Sequence, residues 1–409
     1  MGEFELIRRC FDWNSGAVDS DTPGSAGHMT GSDTTPLGDG TSTDSTHTQP
    51  KNQSNQQDPS TTQLLLGIGD DAALIKSSAV QAICTDSLIE GTHFVLTTPS
   101  ELIGYKSLAV NLSDLAAMGA SPTLFLLAIG LPGNSKHFDQ DAWLSGFARG
   151  LRRCADEFGV KLIGGDTTRS LQISITITAL GECASPLKRS SLKPSMRLAV
   201  SGSLGGAALA LNNQELTRPN ALNQPTPRVS LGLALGRQQQ AGSSIACIDI
   251  SDGLLQDLSH LLEQSCDQLG LSNQTLCAAL KLDHLPAHET LSGLEAQTQI
   301  ALMLTGGEDY ELLIGYDPKQ LDISVVSEQT GVALTDIGEI TLKAQSGTQA
   351  QPAIKSVDGG SLAEAQSNQH HTKLTAKPWQ ITATLHACEY SLPNPADWGF
   401  DHFKPEQQS

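Results

Sequence analysis

Residues 245–265 read IACIDISDGLLQDLSHLLEQS. The first six form a short apolar run of strand length. From Asp252 the period changes: Leu254, Leu258, Leu261 and Leu262 recur at helical spacing and share one face. Strand therefore passes into helix within a few residues, with Asp249, Ser251 and Asp252 at the changeover.

The same signature recurs along the chain. Acidic residues beside glycine or a hydroxyl end apolar runs in GIGDD (Asp70, Asp71), ICTDS (Cys84, Thr85, Asp86), IGGDTT (Asp166) and TGGEDYE (Glu308, Asp309). Around them, VQAICTDS, TLFLLAIGLP, VKLIGG, LQISITITALG, RLAVSG, LCAALKL and YELLIGY read as strands. In LQISITITALG, Leu171, Ile173, Ile175 and Ile177 alternate, which predicts one buried face. PSELIGYKSLAVNLSDLAAMG reads as a helix with Ser100 as N-cap and Gly119 as its stop. DAWLSGFARGLRRCADEFG reads as a helix with a stripe through Trp143, Phe147, Leu151, Cys154 and Phe158. GGAALALNN and RVSLGLALGRQQ add two more. Strands and helices mix without strict alternation, so the fold class is α+β. The expected organisation is a short helix in 1–13, a polar insert over 14–62, and α+β domains over 63–185 and 186–403. The second of these carries a low-complexity loop at 343–378.

A strand end fixes where a carboxylate points, and several that converge make an oxygen cage. Hard oxygens select magnesium or calcium over zinc. Magnesium takes one or two carboxylates and fills its remaining positions with water and substrate phosphate. The aspartates thus point to several ions gathered round a polyphosphate, and such ions would let the adjacent Asp70 and Asp71 stay ionised. Asp114 joins the set from a helix. With Ser107 and Asn111 it shares a face opposite Leu108 and Leu115. The plainer reading makes each aspartate an N-cap or turn residue, and Asp252 and Asp166 both allow it.

The chain has 409 residues, with 44 acidic against 25 basic side chains and a net charge of -19. That excess argues against a nucleic-acid backbone as partner, and fits cations, anions escorted by cations, or solubility alone. Eight cysteines show no C-x-x-C pair, so free thiols in a reducing compartment are expected. The start, MGEFELIRRC, is charged and unlike a secretory signal, and LFLLAIGLP is about half a membrane span; a cytoplasmic location is expected. Residues 14–62 are too poor in apolar side chains to offset their ordering entropy. Their DSDTPG resembles the start of a calcium loop, but Pro23 and Thr30 hold ligand positions. There is no G-x-x-x-x-G-K-[ST] phosphate loop. SGSLGGAALAL opens a helix whose N-terminus could hold an anion, though helix packing explains its glycines equally well. Arg189 is the better phosphate candidate, with a solvated loop charge as the alternative. His93 in EGTHF is either a site residue or a core histidine. No nucleophile–base pair signals a covalent intermediate.

At these residues the chain resembles the thiamine-monophosphate kinases, of the aminoimidazole-ribonucleotide synthetase superfamily. GEFELI, GIGDDAAL, TDSLIEGTHF, YKSLAVNLSDLAAMGASP, LIGGDTTR, DISDGLLQDL, LTGGEDYEL and WGFDHF occur in the family's order. The resemblance implies ATP-dependent phosphorylation of thiamine monophosphate with Mg2+, by two α+β domains of which the N-terminal one forms a homodimer. It implies metal ligands at Asp71, Thr85, Asp86, Asp114, Asp166, Asp249 and Asp252, with Asp86, Asp114 and Asp166 as the catalytic set. It implies ATP contacts at Gly165, Arg189 and Ser251, and substrate contacts at His93, Glu308 and Phe400. Cys84 stands where relatives commonly carry serine. The resemblance makes it a metal-ligand position: if the contact there is the backbone carbonyl nothing is lost, and if it is the hydroxyl one magnesium ligand weakens, since a thiol is too soft for that ion. The rival readings are another ATP-dependent enzyme of the superfamily and a nucleotide-binding module without catalysis.

Overall fold

The computed structural model describes residues 62–66, 74–136, 138–271, 274–344, 379–386, 388–395 and 398. The expected N-terminal helix, the polar insert, Asp70, Asp71, the 345–378 part of the loop and Phe400 lie outside the described residues.

Two short strands, β1 (Gln63–Leu66) and β2 (Leu74–Lys76), pair antiparallel. Then follow β3 (Val80–Ile89), α1 (Ser100–Ala117), β4 (Ser121–Leu131), α2 (Gln140–Phe158), β5 (Lys161–Arg169) and β6 (Ser174–Cys183). The last four strands form one sheet in the order β3-β6-β4-β5. Only β4 and β5 run parallel, because α2 carries the chain back between them. α2 follows its sequence: Trp143, Phe147, Leu151 and Cys154 are buried, Asp139 accepts from the Ala142 N–H at 3.0 Å, and left-handed Gly159 ends the helix. α1 differs from its expectation at the start. Ser100 is its first helical residue and Pro99 holds the N-cap position without a side-chain cap. The fixed φ of proline and its missing N–H suit it to a helix start. The alternation holds in burial from Ile173 to Ile177, although β6 itself begins at Ser174, while Leu171 is fully exposed.

The second half comprises β7 (Arg197–Ser201), α3 (Gly206–Asn212), α4 (Val229–Gln240), β8 (Ile245–Ile250), α5 (Leu254–Leu269), β9 (Gln274–Lys281), α6 (Ala296–Thr305), β10 (Glu311–Tyr316), α7 (Ile323–Thr330), β11 (Leu334–Ala344), β12 (Trp379–Leu385) and β13 (Cys388–Tyr390). Its seven-stranded sheet has the order β13-β12-β9-β11-β7-β10-β8. β12 joins β9 in parallel, and the other neighbours are antiparallel.

β8 is buried on both faces, which explains why it is apolar at every position but Asp249. Ala246, Ile248 and Ile250 pack with the inward leucines of α5 in one core. Ile245 and Cys247 face the other core, which also holds α1, α2 and the inner face of the four-stranded sheet. Strand alternation puts Asp249 on that second face, towards α1. A carboxylate at the end of an otherwise apolar strand is thereby carried to where the two halves meet.

Candidate active site

Asp249 is 2% exposed and accepts from Ser113 Oγ of α1 at 2.8 Å. Asp86 on β3 and Asp114 in the last turn of α1 complete a group whose charges act on one another. Burial pushes the Asp86 carboxyl up to about 6, and the Asp249 charge adds to it. Burial and then the neighbouring carboxylate likewise raise Asp114 and Asp249. Asp114 also sits at the negative end of its helix, with no basic residue in that turn. Arg189, which opens the short helical turn Arg189–Ser191, offsets the charge on Asp114 and Asp249 in part. Tyr310 belongs to the same group: burial and then the charges of Glu308, Asp86, Asp249 and Asp114 hold its phenol well above its ordinary value, so it stays a hydrogen-bond donor.

Three carboxylates that raise one another leave negative charge that Arg189 alone does not cancel. Hard oxygens in this state fit magnesium. Among the described residues no three acidic, histidine or cysteine side chains close on a single point as a ready-made metal cage. Cys84 lies on the same face of β3, where its Sγ donates to the Asn111 carbonyl at 3.3 Å. Burial and then the Asp114 and Asp86 charges push this thiol far up, so it keeps its proton.

The loop after β8 is shaped by Asp257, which the sequence reading did not single out. Its Oδ2 accepts from the Asp252 and Gly253 N–H groups, both at 3.1 Å. Its position one turn into α5 was the available signal, since an acid there can fold back on the helix start. Asp252 in turn accepts from Gln256 Nε2 at 3.0 Å. The Ser251 carbonyl accepts from the Glu308 N–H at 2.7 Å, and the Ile250 carbonyl from the Tyr310 N–H at 2.8 Å. The TGGEDYE turn is thus stitched to the end of β8. Glu308 and Tyr310 both have positive φ, 68° and 50°, a strained conformation that neighbouring structure must enforce. Between them Asp309 accepts from the Gly205 and Ala207 N–H groups at 2.8 and 3.4 Å. The glycine-rich helix start considered for an outside anion is therefore filled by the protein's own carboxylate. Glu308 pairs with Lys106 of α1, and Lys106 and His93 line one small cavity.

Other sequence candidates stand apart. Register places Thr85 opposite Thr178, and Asp166 level with Ala128 and Thr176, on the outer face of the sheet. The Thr85 hydroxyl donates to the Ile177 carbonyl at 3.0 Å. Asp166 is exposed on the β5 edge, three strands from Asp86, a span of roughly 14 Å at ordinary strand spacing. Within one chain it does not join the carboxylate group. Gly165 has a packing reason: a Cβ there would lie 1.8 Å from the Leu127 carbonyl oxygen of β4.

Residues 69–183 match the family model AIR synthase related protein, N-terminal domain. The thiamine-monophosphate kinase of Buchnera aphidicola subsp. Acyrthosiphon pisum is 37% identical over 292 residues, covering 67% of this chain and 84% of that protein. The chain belongs to the thiamine-monophosphate kinase family. A thiamine-monophosphate kinase from Stenotrophomonas maltophilia K279a has the same fold with a TM-score of 0.59 at 37% identity, over 68% of this chain and 88% of that one. AaThiL complexed with AMPPCP and TMP aligns with a TM-score of 0.53 at 26% identity, over 64% of this chain and 81% of that one. Thiamine-monophosphate kinases thus share the frame on which Asp86, Asp114 and Asp249 converge. The hydrogenase maturation protein HypE of E. coli, at 17% identity and a TM-score of 0.54, shares the fold alone.

Proposed function

We propose that this protein transfers the γ-phosphoryl group of ATP directly to thiamine monophosphate, giving thiamine diphosphate, at the face where Asp86, Asp114 and Asp249 meet. The observation that carries the reading is that these three carboxylates come from different elements, raise one another and, among the described residues, lack a full counter-charge. Magnesium ions shared among Asp86, Asp114, Asp249, Asp71, Asp252 and the backbone near Cys84 and Thr85 would supply charge neutralisation to the phosphates. Arg189 and Ser251 line the approach for ATP, and His93, Glu308 and Phe400 receive the thiamine moiety. The acceptor phosphate is already an oxyanion, so it requires positioning rather than a strong general base. The Tyr310 phenol, which keeps its proton among these charges, would be a hydrogen-bond donor available there.

The sheet's outer face supports a homodimer. Ile83 on β3 is 64% exposed and Leu126 on β4 is 36% exposed, beside a threonine-rich surface that a second copy would cover. Asp166 lies on that face, so it would enter a site through subunit pairing. Cytoplasmic residence is supported by the free cysteines among the described residues; no helix there is long and apolar enough to cross a membrane.

The test is turnover of D86N and D114N. Each should lose on the order of 10²-fold or more in kcat, with circular dichroism unchanged. Normal turnover and normal magnesium dependence in either variant would refute its role.

A further inference from the structure

Lys106 is a lysine with 5% exposure on a helix otherwise packed into the core. Burying an ammonium is unfavourable unless it is paired. Among the described residues its ion-pair partner is Glu308, from the other half of the molecule. The exposures of the two side chains are unequal, 6% for Lys106 and 26% for Glu308. Lys106 is therefore the buried member of the pair and Glu308 the more accessible one. Lys106 engages Oε2, and a carboxylate has acceptor capacity to spare on its other oxygen. The Glu308 backbone is fixed independently, by its bond to the Ser251 carbonyl and by Asp309 anchored on α3. Lys106 also lines the cavity that holds His93, Thr98 and Asn223. One buried cation thus pairs with Glu308 and lines the cavity of His93, the two described residues that the family resemblance assigns to substrate contact.

We propose that Lys106 is a positioning residue for recognition of the thiamine moiety. Its ammonium sets the direction of the Glu308 carboxylate and neutralises it in part, so that Glu308 serves as an oriented acceptor. The inference rests on the reading that Glu308 meets thiamine monophosphate. The ATP contacts expected at Arg189 and Ser251 do not include Lys106, so its effect should fall on thiamine monophosphate rather than on ATP.

Steady-state kinetics of the full chain test this with K106M, K106R, E308Q and K106M/E308Q, each with its melting midpoint. K106M should raise KM for thiamine monophosphate about tenfold, a loss of uniform binding, and leave KM for ATP within about twofold. K106R should fall between K106M and the parent. The double variant should be no worse than E308Q, because a residue that acts through another adds nothing once that other is gone. Full additivity would overturn the proposal. So would an unchanged KM for thiamine monophosphate in K106M when E308Q raises it, which would leave the reading of Glu308 standing. An unchanged KM in E308Q would remove that reading and the proposal with it. If K106M fails to fold, K106R decides. A partial rise in KM for thiamine monophosphate alone supports the proposal. No rise, or equal rises for both substrates, overturns it.

Discussion

Asp86 carries a charge that its own surroundings disfavour. Its carboxyl is pushed from 3.8 up to about 6, by burial first and then by the charge on Asp249. A carboxyl whose folded pKa is raised binds protons more readily in the folded state. It therefore costs stability increasingly as pH rises from about 4 through about 6. D86N removes the charge and keeps the shape. The variant should melt higher than the parent at pH 8, and the gain should vanish by about pH 4, measured without magnesium by thermal scans across that range. An equal gain at both ends of the range would mean that repulsion between charges is not the cause. A residue that stabilises the fold when its charge is deleted, yet is needed for turnover, fits a site strained for function. The chemical type of such residues is legible in a sequence, since acids beside glycine or a hydroxyl in apolar runs stand out, but Asp86 and Asp166 lie within β3 and β5 rather than at the expected strand ends. Which of them meet is not legible. Asp166 carries the same signature as Asp86 but lies on the other face of the sheet, because register and alternation are decided by pairing partners far along the chain. Asp257 escaped notice for the converse reason, as its role is to hold a loop.

Helices α1 and α2 pack at backbone contact. A Cβ on Gly150 would lie 1.8 Å from the Glu101 carbonyl oxygen, and one on Gly104 would lie 2.0 Å from that of Phe147. These glycines let α2 press on α1, which holds Lys106, Ser113 and Asp114. Two effects compete in G150A. Alanine favours the isolated helix by about 1 kcal/mol, while forcing a methyl group against backbone costs about 1–3 kcal/mol and more when neither helix can move. The clash should win, so G150A should unfold at lower denaturant with an unchanged slope. A midpoint equal to the parent's would show that the helices do not touch there. α2 could be read from its period because only one of its faces is buried. α1 buries nearly every side chain, so its pattern carries less information, and the Ser100 cap was misplaced. α6 and α7, absent from the sequence reading, are short and only partly buried, and their apolar residues do not repeat over enough turns to stand out.

The whole molecule holds one chemical idea in two halves. The four-stranded sheet and α1 supply Asp86 and Asp114, and the seven-stranded sheet supplies Asp249, with a shared core fixing one against the other. The α+β class and most strands were open to sequence reading, because local period determines them. The seven-strand order, and the bond between Glu308 and Lys106 across 202 positions, follow from tertiary packing that local pattern does not encode. The most direct measurement is phosphorus-31 NMR of the purified protein with ATP, magnesium and thiamine monophosphate, with free thiamine as the parallel acceptor. Thiamine diphosphate and ADP should appear together from the monophosphate, and neither should accumulate with free thiamine. ATP bound tightly in the presence of magnesium, with no diphosphate formed, would contradict the account.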